Sequence, residues 1–221
     1  MLSRRSTDNR TIAKLRHAVL LGVMLALAGC ASSGSWQPMA DRVADPADGR
    51  GAARRVPPKA MTAYEQAVAV MAAGHFAEAE RRFEEFVLQY PKYPGAYVNL
   101  AIIRVSNGDD AGARVAIDGA LAIDQHHAPA LNQLGMLHRR NGNFFEAEAT
   151  YLKAVTAHPD YALAHYNLGV LNELYLQRLD AALQHFETYQ SLVGEDKQVE
   201  KWISDLRRRV AAAQRTANVS R

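Results

Sequence analysis

One cysteine among 221 residues excludes an intramolecular disulfide and any metal cluster held by several thiolates. Long apolar runs are also lacking: AVLLGVMLALAG, just before Cys30, is 12 residues, whereas a membrane-spanning helix needs about 20. A Gly-rich phosphate loop, a G-x-S-x-G elbow and an H-E-x-x-H pair are all missing, so no motif for phosphate, ester or zinc-hydrolase chemistry is present. Basic charge is scarce where a nucleic-acid binder would need it. The net charge is +3, but residues 60–194 hold nine Lys and Arg against fifteen Asp and Glu, or −6. Phosphate neutralisation supplies most nucleic-acid affinity, so an acidic body is not expected to bind it. What the chain does have is 48% hydrophobic and 22% charged residues, the balance of a folded body.

The basic charge sits at the two ends. Residues 1–29 carry +4, from Arg4, Arg5, Arg10, Lys14 and Arg16 against Asp8, and residues 195–221 carry +3. A basic stretch followed by a short apolar run has the layout of an export signal. Leu27-Ala28-Gly29-Cys30 resembles the lipobox of bacterial lipoproteins. That resemblance implies a signal peptide over 1–29, cleavage before Cys30 and diacylation of the Cys30 thiol. Two other readings stay open: Ala26-Leu27-Ala28 also fits an ordinary cleavage site leaving a free thiol, and an uncleaved leader would itself be an anchor. The lone cysteine stands where a lipobox needs it, which favours lipidation. Asp after the cysteine favours inner-membrane retention in that family. Ala31 and Ser32 stand here instead, implying an outer-membrane location facing the periplasm. From 30 to 58 the chain is rich in Ala, Ser, Gly, Pro and Arg without apolar periodicity, and is expected to be a flexible tether spanning roughly 30 Å.

Beyond the tether the sequence repeats. At a step of 34 residues Leu100 maps to Leu134 and Leu168, Ala101 to Gly135 and Gly169, and Asn99 to Gln133 and Asn167. Gly74 maps to Gly108 and Gly142, Ala79 to Ala113, Ala147 and Ala181, Phe83 to Ile117 and Tyr151, and Pro91 reappears as Pro159. This pattern, fullest in ALNQLGMLHRRNGNFFEAEATYLKAVTAHP, resembles the tetratricopeptide repeat (TPR), whose period is 34 residues. The resemblance implies an all-α superhelix of about four helical hairpins over 59–194. Gly135, Gly169, Ala147 and Ala154 would mark close helix contacts. Phe83, Phe86, Tyr151, Leu134 and Leu168 would fill the interfaces, and the three recurring glycines would end first helices at φ > 0.

Two departures stand out. Gln125 replaces the closing proline of the second repeat, which leaves that turn less pinned. In the fourth repeat Leu176 falls at the turn glycine and Phe186 arrives one residue late, so a one-residue insertion is expected within 173–181. After Gly194, the residues Val199, Trp202, Ile203, Leu206 and Val210 share one helical face. A capping helix over 195–216 is therefore expected, with Arg207, Arg208 and Arg209 near its C-terminal end and a disordered tail at 217–221.

Eight histidines raise the question of a metal. His126 and His127 adjoin a helix start and His138, His158, His165 and His185 are scattered, with no zinc-site spacing among them. Asp110, in the turn Asp109-Asp110, is placed to cap the next helix. No metal, cofactor, catalytic residue or small-molecule substrate is expected. The remaining surface is the concave groove of the first helices, where TPR proteins hold extended peptides and Asn side chains commonly grip the backbone. The resemblance places Tyr64, Val98, Asn99, Ile102, Asn132, Gln133, Met136, Tyr166, Asn167 and Val170 there. Amides suit this, because each offers a donor and an acceptor; the alternative is that Asn99 and Asn167 bond within the array. The basic arrangement by which some co-chaperones clamp a terminal carboxylate is unmatched. Small lipoproteins of this layout resemble pilotins and assembly factors of type IV and Flp pili, and GEDKQVEKWISDLRRR resembles the ending of TPR proteins of TonB-type systems. The expected role is a scaffold for an envelope machine; a non-catalytic regulator of a peptidoglycan-active enzyme is the alternative.

Overall fold

The structure is a computed structural model that describes residues 56–219. The leader, Cys30 and the tether up to residue 55 lie outside the described residues, as do residues 220–221. Among the described residues there are nine α-helices and no strand. They are α1 (Pro58–Ala72), α2 (Phe76–Gln89), α3 (Pro94–Ser106), α4 (Asp110–Ile123), α5 (Ala128–Arg140), α6 (Phe144–Ala157), α7 (Ala162–Leu174), α8 (Leu179–Val193) and α9 (Lys197–Val219). None of these is long and apolar enough to cross a membrane.

The first eight helices form four hairpins, α1–α2 to α7–α8, each packed on the next. Proline in the first turn of α1, α3 and α5 costs nothing there, because that turn's N–H groups have no helical partner. Gly74, Gly108 and Gly142 end α1, α3 and α5 at φ +82°, +81° and +80°, a region that L side chains enter at a cost. In these turns a backbone N–H returns to the carbonyl five residues back: His75 to Val70, Asp109 to Arg104, Asn143 to His138. In the fourth hairpin the equivalent bond joins Arg178 to Asn172, six back. The inserted residue is thus accommodated before α8, and Gln177 takes the positive φ, at 57°. The turn with Gln125 is pinned after all, by hydrogen bonds in place of proline. Asp124 Oδ1 accepts from the His126 N–H at 2.9 Å, and His127 Nδ1 accepts from the Ala130 N–H at 3.3 Å. The cap of α4 is Asp109, whose side chain accepts from the Gly112 N–H at 2.8 Å. Asp110, the expected cap, already lies inside the helix and faces Arg140 at 3.4 Å.

The hairpins close because one helix carries almost no side chain where its partner carries a large one. Gly135 lies against the Tyr151 ring and Gly169 against the Phe186 ring. Ala67 and Ala101 hold the equivalent places and are fully buried, as are Phe83, Ile117, Ala147, Tyr151 and Ala154. Leu168 is buried as expected, whereas Leu134 is only half-buried at the edge of the first core cluster. Ion pairs tie successive hairpins at their rims, such as Arg140 with Asp110 and Arg178 with Glu148 at 2.6 Å.

The ninth helix covers the last hairpin. Val199, Ile203, Leu206 and Val210 are buried, and Trp202 packs on Phe186 with ring centroids 5.6 Å apart. Asp196 caps it, its Oδ1 accepting from the N–H groups of Gln198 (2.9 Å) and Val199 (3.1 Å). The helix runs to Val219, three residues past the expected boundary at 216. Once a helix is nucleated each added residue gains a hydrogen bond, and Ala-, Gln- and Arg-rich sequence extends it at little cost. Arg207, Arg208 and Arg209 therefore sit mid-helix rather than at its C-terminal end. Arg207 and Arg209 reach back to Glu187 (2.7 Å) and Glu173 (2.6 Å), linking α9 to the last hairpin.

Candidate functional site

Four first helices, α1, α3, α5 and α7, lie side by side. The helix α5 touches both α3 and α7, and side chains join α1 to α3. The side carrying these helices is therefore the inner, concave side of the coil. Its polar groups form rungs at a step of 35 residues. Asn99 donates its Nδ2–H to the Tyr64 hydroxyl oxygen at 2.9 Å, and Asn167 donates to Asn132 Oδ1 at 2.9 Å. Between them the equivalent pair is Val98 and Gln133, and Val98 packs instead near Ile102 and Ala130. At the far end Tyr166 meets Trp202 of α9, ring centroids 6.0 Å apart.

This geometry divides the ten residues expected in the groove. Val98, Asn132 and Asn167 are buried, at 6%, 2% and 7% exposure. Asn132 and Asn167 engage their amides with each other, so that rung stabilises the array. Burial of both amides keeps them from a bound backbone. Tyr64, Asn99, Ile102, Gln133, Met136, Tyr166 and Val170 are half-buried and supply the accessible part of the face.

The sequence reading missed the most exposed apolar groups on this side. Leu163 and Leu174 of α7 are 41% and 60% exposed. They stand seven residues before and four after Val170, on the face that also carries Asn167. Met61 of α1 is exposed as well. A signal was available: Leu168 and Leu171 already supply the core positions of α7, so further leucines in that helix must point elsewhere. On the opposite side Phe145 and Leu152 of α6, one heptad apart, are exposed.

The histidines with resolved roles are packing and capping groups. His127 caps α5. His138 is shifted below its ordinary value, first by burial and then by Arg114. His165 and His185 join α7 to α8, with Nδ1 atoms 3.2 Å apart. His165 Nε2 lies 3.1 Å from the Pro159 carbonyl oxygen, so Nε2 carries the proton. Burial, and then the neighbouring His165, push His185 down to about 4. Among the described residues no group of three or more His, Cys, Asp or Glu is placed to hold a metal ion.

Two family models described as tetratricopeptide repeat match the chain, at residues 70–134 and 132–197. No curated protein matches it at the sequence level. Among solved structures, pilF of Pseudomonas aeruginosa is similar with a TM-score of 0.61 and 22% identity, over 70% of this chain and 72% of that one. TTC0263, a thermophilic TPR protein of Thermus thermophilus, gives 0.60 and 21% over 68% and 82%. MamA of Desulfovibrio magneticus RS-1, from its residue 41 onward, gives 0.56 and 19% over 74% and 92%. At these identities the likeness is one of fold.

Proposed function

Since the chain belongs to the tetratricopeptide-repeat family, we propose that it is a non-catalytic scaffold that binds other proteins along the concave face of its first helices. A lipid on Cys30 holds it to the bacterial outer membrane, facing the periplasm, where it assists assembly or positioning of a pilus, secretion or TonB-type machine. The observation that carries protein binding is the inner face itself. It combines exposed Leu163, Leu174 and Met61 with half-buried Asn99 and Gln133, which is the apolar-plus-amide chemistry that holds an extended peptide. The lipobox-like Leu27-Ala28-Gly29-Cys30 supports the envelope setting. Multiple acyl chains, at about 0.8 kcal/mol per buried CH₂, anchor a protein stably.

Two measurements test this. Cys30→Ser should abolish incorporation of labelled palmitate and release the protein from membranes; unchanged incorporation sinks the lipid anchor. For the groove, Leu163→Ser with Leu174→Ser alters exposed positions and should keep the melting temperature. Recovery of crosslinked partners from membranes, quantified by mass spectrometry, should fall. Full recovery would move binding off the concave face. Enrichment of peptidoglycan enzymes in place of pilus, secretion or TonB-type proteins would replace the envelope-machine reading.

A further inference from the structure

We propose that the outward face of α9 is an electrostatic docking surface for anionic phospholipid headgroups, which lays the repeat array on the membrane by its C-terminal end. The proposal rests on the membrane-tethered reading for its setting. Lys197, Lys201, Arg208 and Arg215 are all exposed, and their spacings of 4, 7 and 7 residues place them within an arc of about 40° on a helix. Val199, Ile203, Leu206 and Val210 occupy the opposite side and are buried against the last hairpin. The row runs about 27 Å along one helix.

Neighbouring charges sort themselves off this row. Arg207 and Arg209 turn sideways to Glu187 and Glu173. The 2.8 Å pair of Arg208 with Asp205 is exposed, Arg208 at 79% and Asp205 at 48%, so it leaves most of the arginine's charge available to a surface. Arg215 donates Nε–H to the Ala211 carbonyl, which keeps it on the helix. Glu200 flanks the row.

The shape of the row selects its occupant. Every large apolar side chain between 197 and 210 is turned inward, and the positions between the basic residues on the outer face are Ser204, Ala211 and Ala212. A protein interface needs buried aromatic or aliphatic anchors at its centre, and this face offers none. A plane of negative headgroups needs only a straight row of cations within a Debye length. The rest of the array, at −6 over residues 60–194, is repelled by the same plane, so α9 is the part that approaches it.

The test uses the chain from residue 30 carrying Cys30→Ser, so that no acyl chain contributes, with vesicles of phosphatidylcholine alone or containing about one-third phosphatidylglycerol. Co-sedimentation should occur with the anionic vesicles only and vanish at high salt. Each basic residue near such a surface contributes about 1 kcal/mol, or about five-fold. The triple variant Lys201→Ala, Arg208→Ala, Arg215→Ala should therefore partition about a hundred-fold more weakly. Arg81→Ala with Arg114→Ala, which removes exposed cations from α2 and α4, should bind as the parent does. Binding to neutral vesicles, no binding to anionic ones, or a triple variant that binds like the parent would overturn the proposal; an acidic protein as the true partner would appear as the second of these. Palmitate incorporation is scored separately, so failure of the lipid anchor is read independently.

Discussion

A Cβ built on Gly135 would stand 2.5 Å from the Tyr151 ring, and one on Gly169 would stand 2.8 Å from the Phe186 ring. Both rings are buried and have nowhere to swing, so Gly135→Ala should cost about 1–3 kcal/mol. It would be read as a lower urea midpoint with unchanged slope. Gly142 poses a different problem: a Cβ there meets nothing within 4 Å, but its φ of +80° is left-handed. Gly142→Ala should cost about 1–2 kcal/mol through the backbone alone. Gly135, Gly169 and Gly142 were legible because they recur at a fixed step. Gly119, whose Cβ would stand 2.8 Å from the Tyr97 ring, was not, since Glu85 and Lys153 hold its equivalent places. Gln177 was illegible for the converse reason: the turn imposes a positive φ on a residue type that carries no sign of it.

Between elements, residue types were legible and their partners were not. Asn132 and Asn167 were visible as amides on one face, but the bond between them depends on how α5 lies along α7, which no local pattern records. Asn132→Ala leaves the buried Asn167 Nδ2 without its acceptor and should cost about 1–3 kcal/mol. Asn99→Ala, which loses a half-buried bond to Tyr64, should cost about 0.5–1.5 kcal/mol; paired melting curves would separate the two. The His165–His185 contact gives the α7–α8 hairpin a pH dependence. His185 is held down to about 4 in the folded chain against an ordinary histidine value near 6.5, so between those limits the unfolded chain binds more protons. Stability from this site is fully present above about 6.5 and is lost as pH falls towards 4. The melting temperature should decline over that window, and His185→Gln should flatten the decline. An unchanged slope would show that other groups govern acid stability.

Across the whole molecule, the four hairpins and the cap were readable from one 34-residue period and one amphipathic helix. Where α9 ends was not, because apolar spacing stops at Val210 while backbone hydrogen bonding carries on alone. That helix shields Ala182 and Phe186. Burying Val199, Ile203 and Leu206 contributes about 1.5–3 kcal/mol each. A chain ending at Gly194 should therefore melt lower and bind an apolar dye strongly; an equally stable chain that leaves the dye dark would remove α9 from the core.

Among the described residues each hairpin packs on its sequence neighbours, which has a mechanical consequence when the chain is pulled. Force applied at the chain ends loads the terminal elements α1 and α9 first, and the contacts that resist it are those with the adjoining helices. A terminal element should then peel away while the hairpins beyond it stay folded, lengthening the molecule stepwise under pull instead of rupturing it at once. In single-molecule stretching between the two ends, extension should rise in several small steps; one all-or-none event would show that the hairpins bear force together.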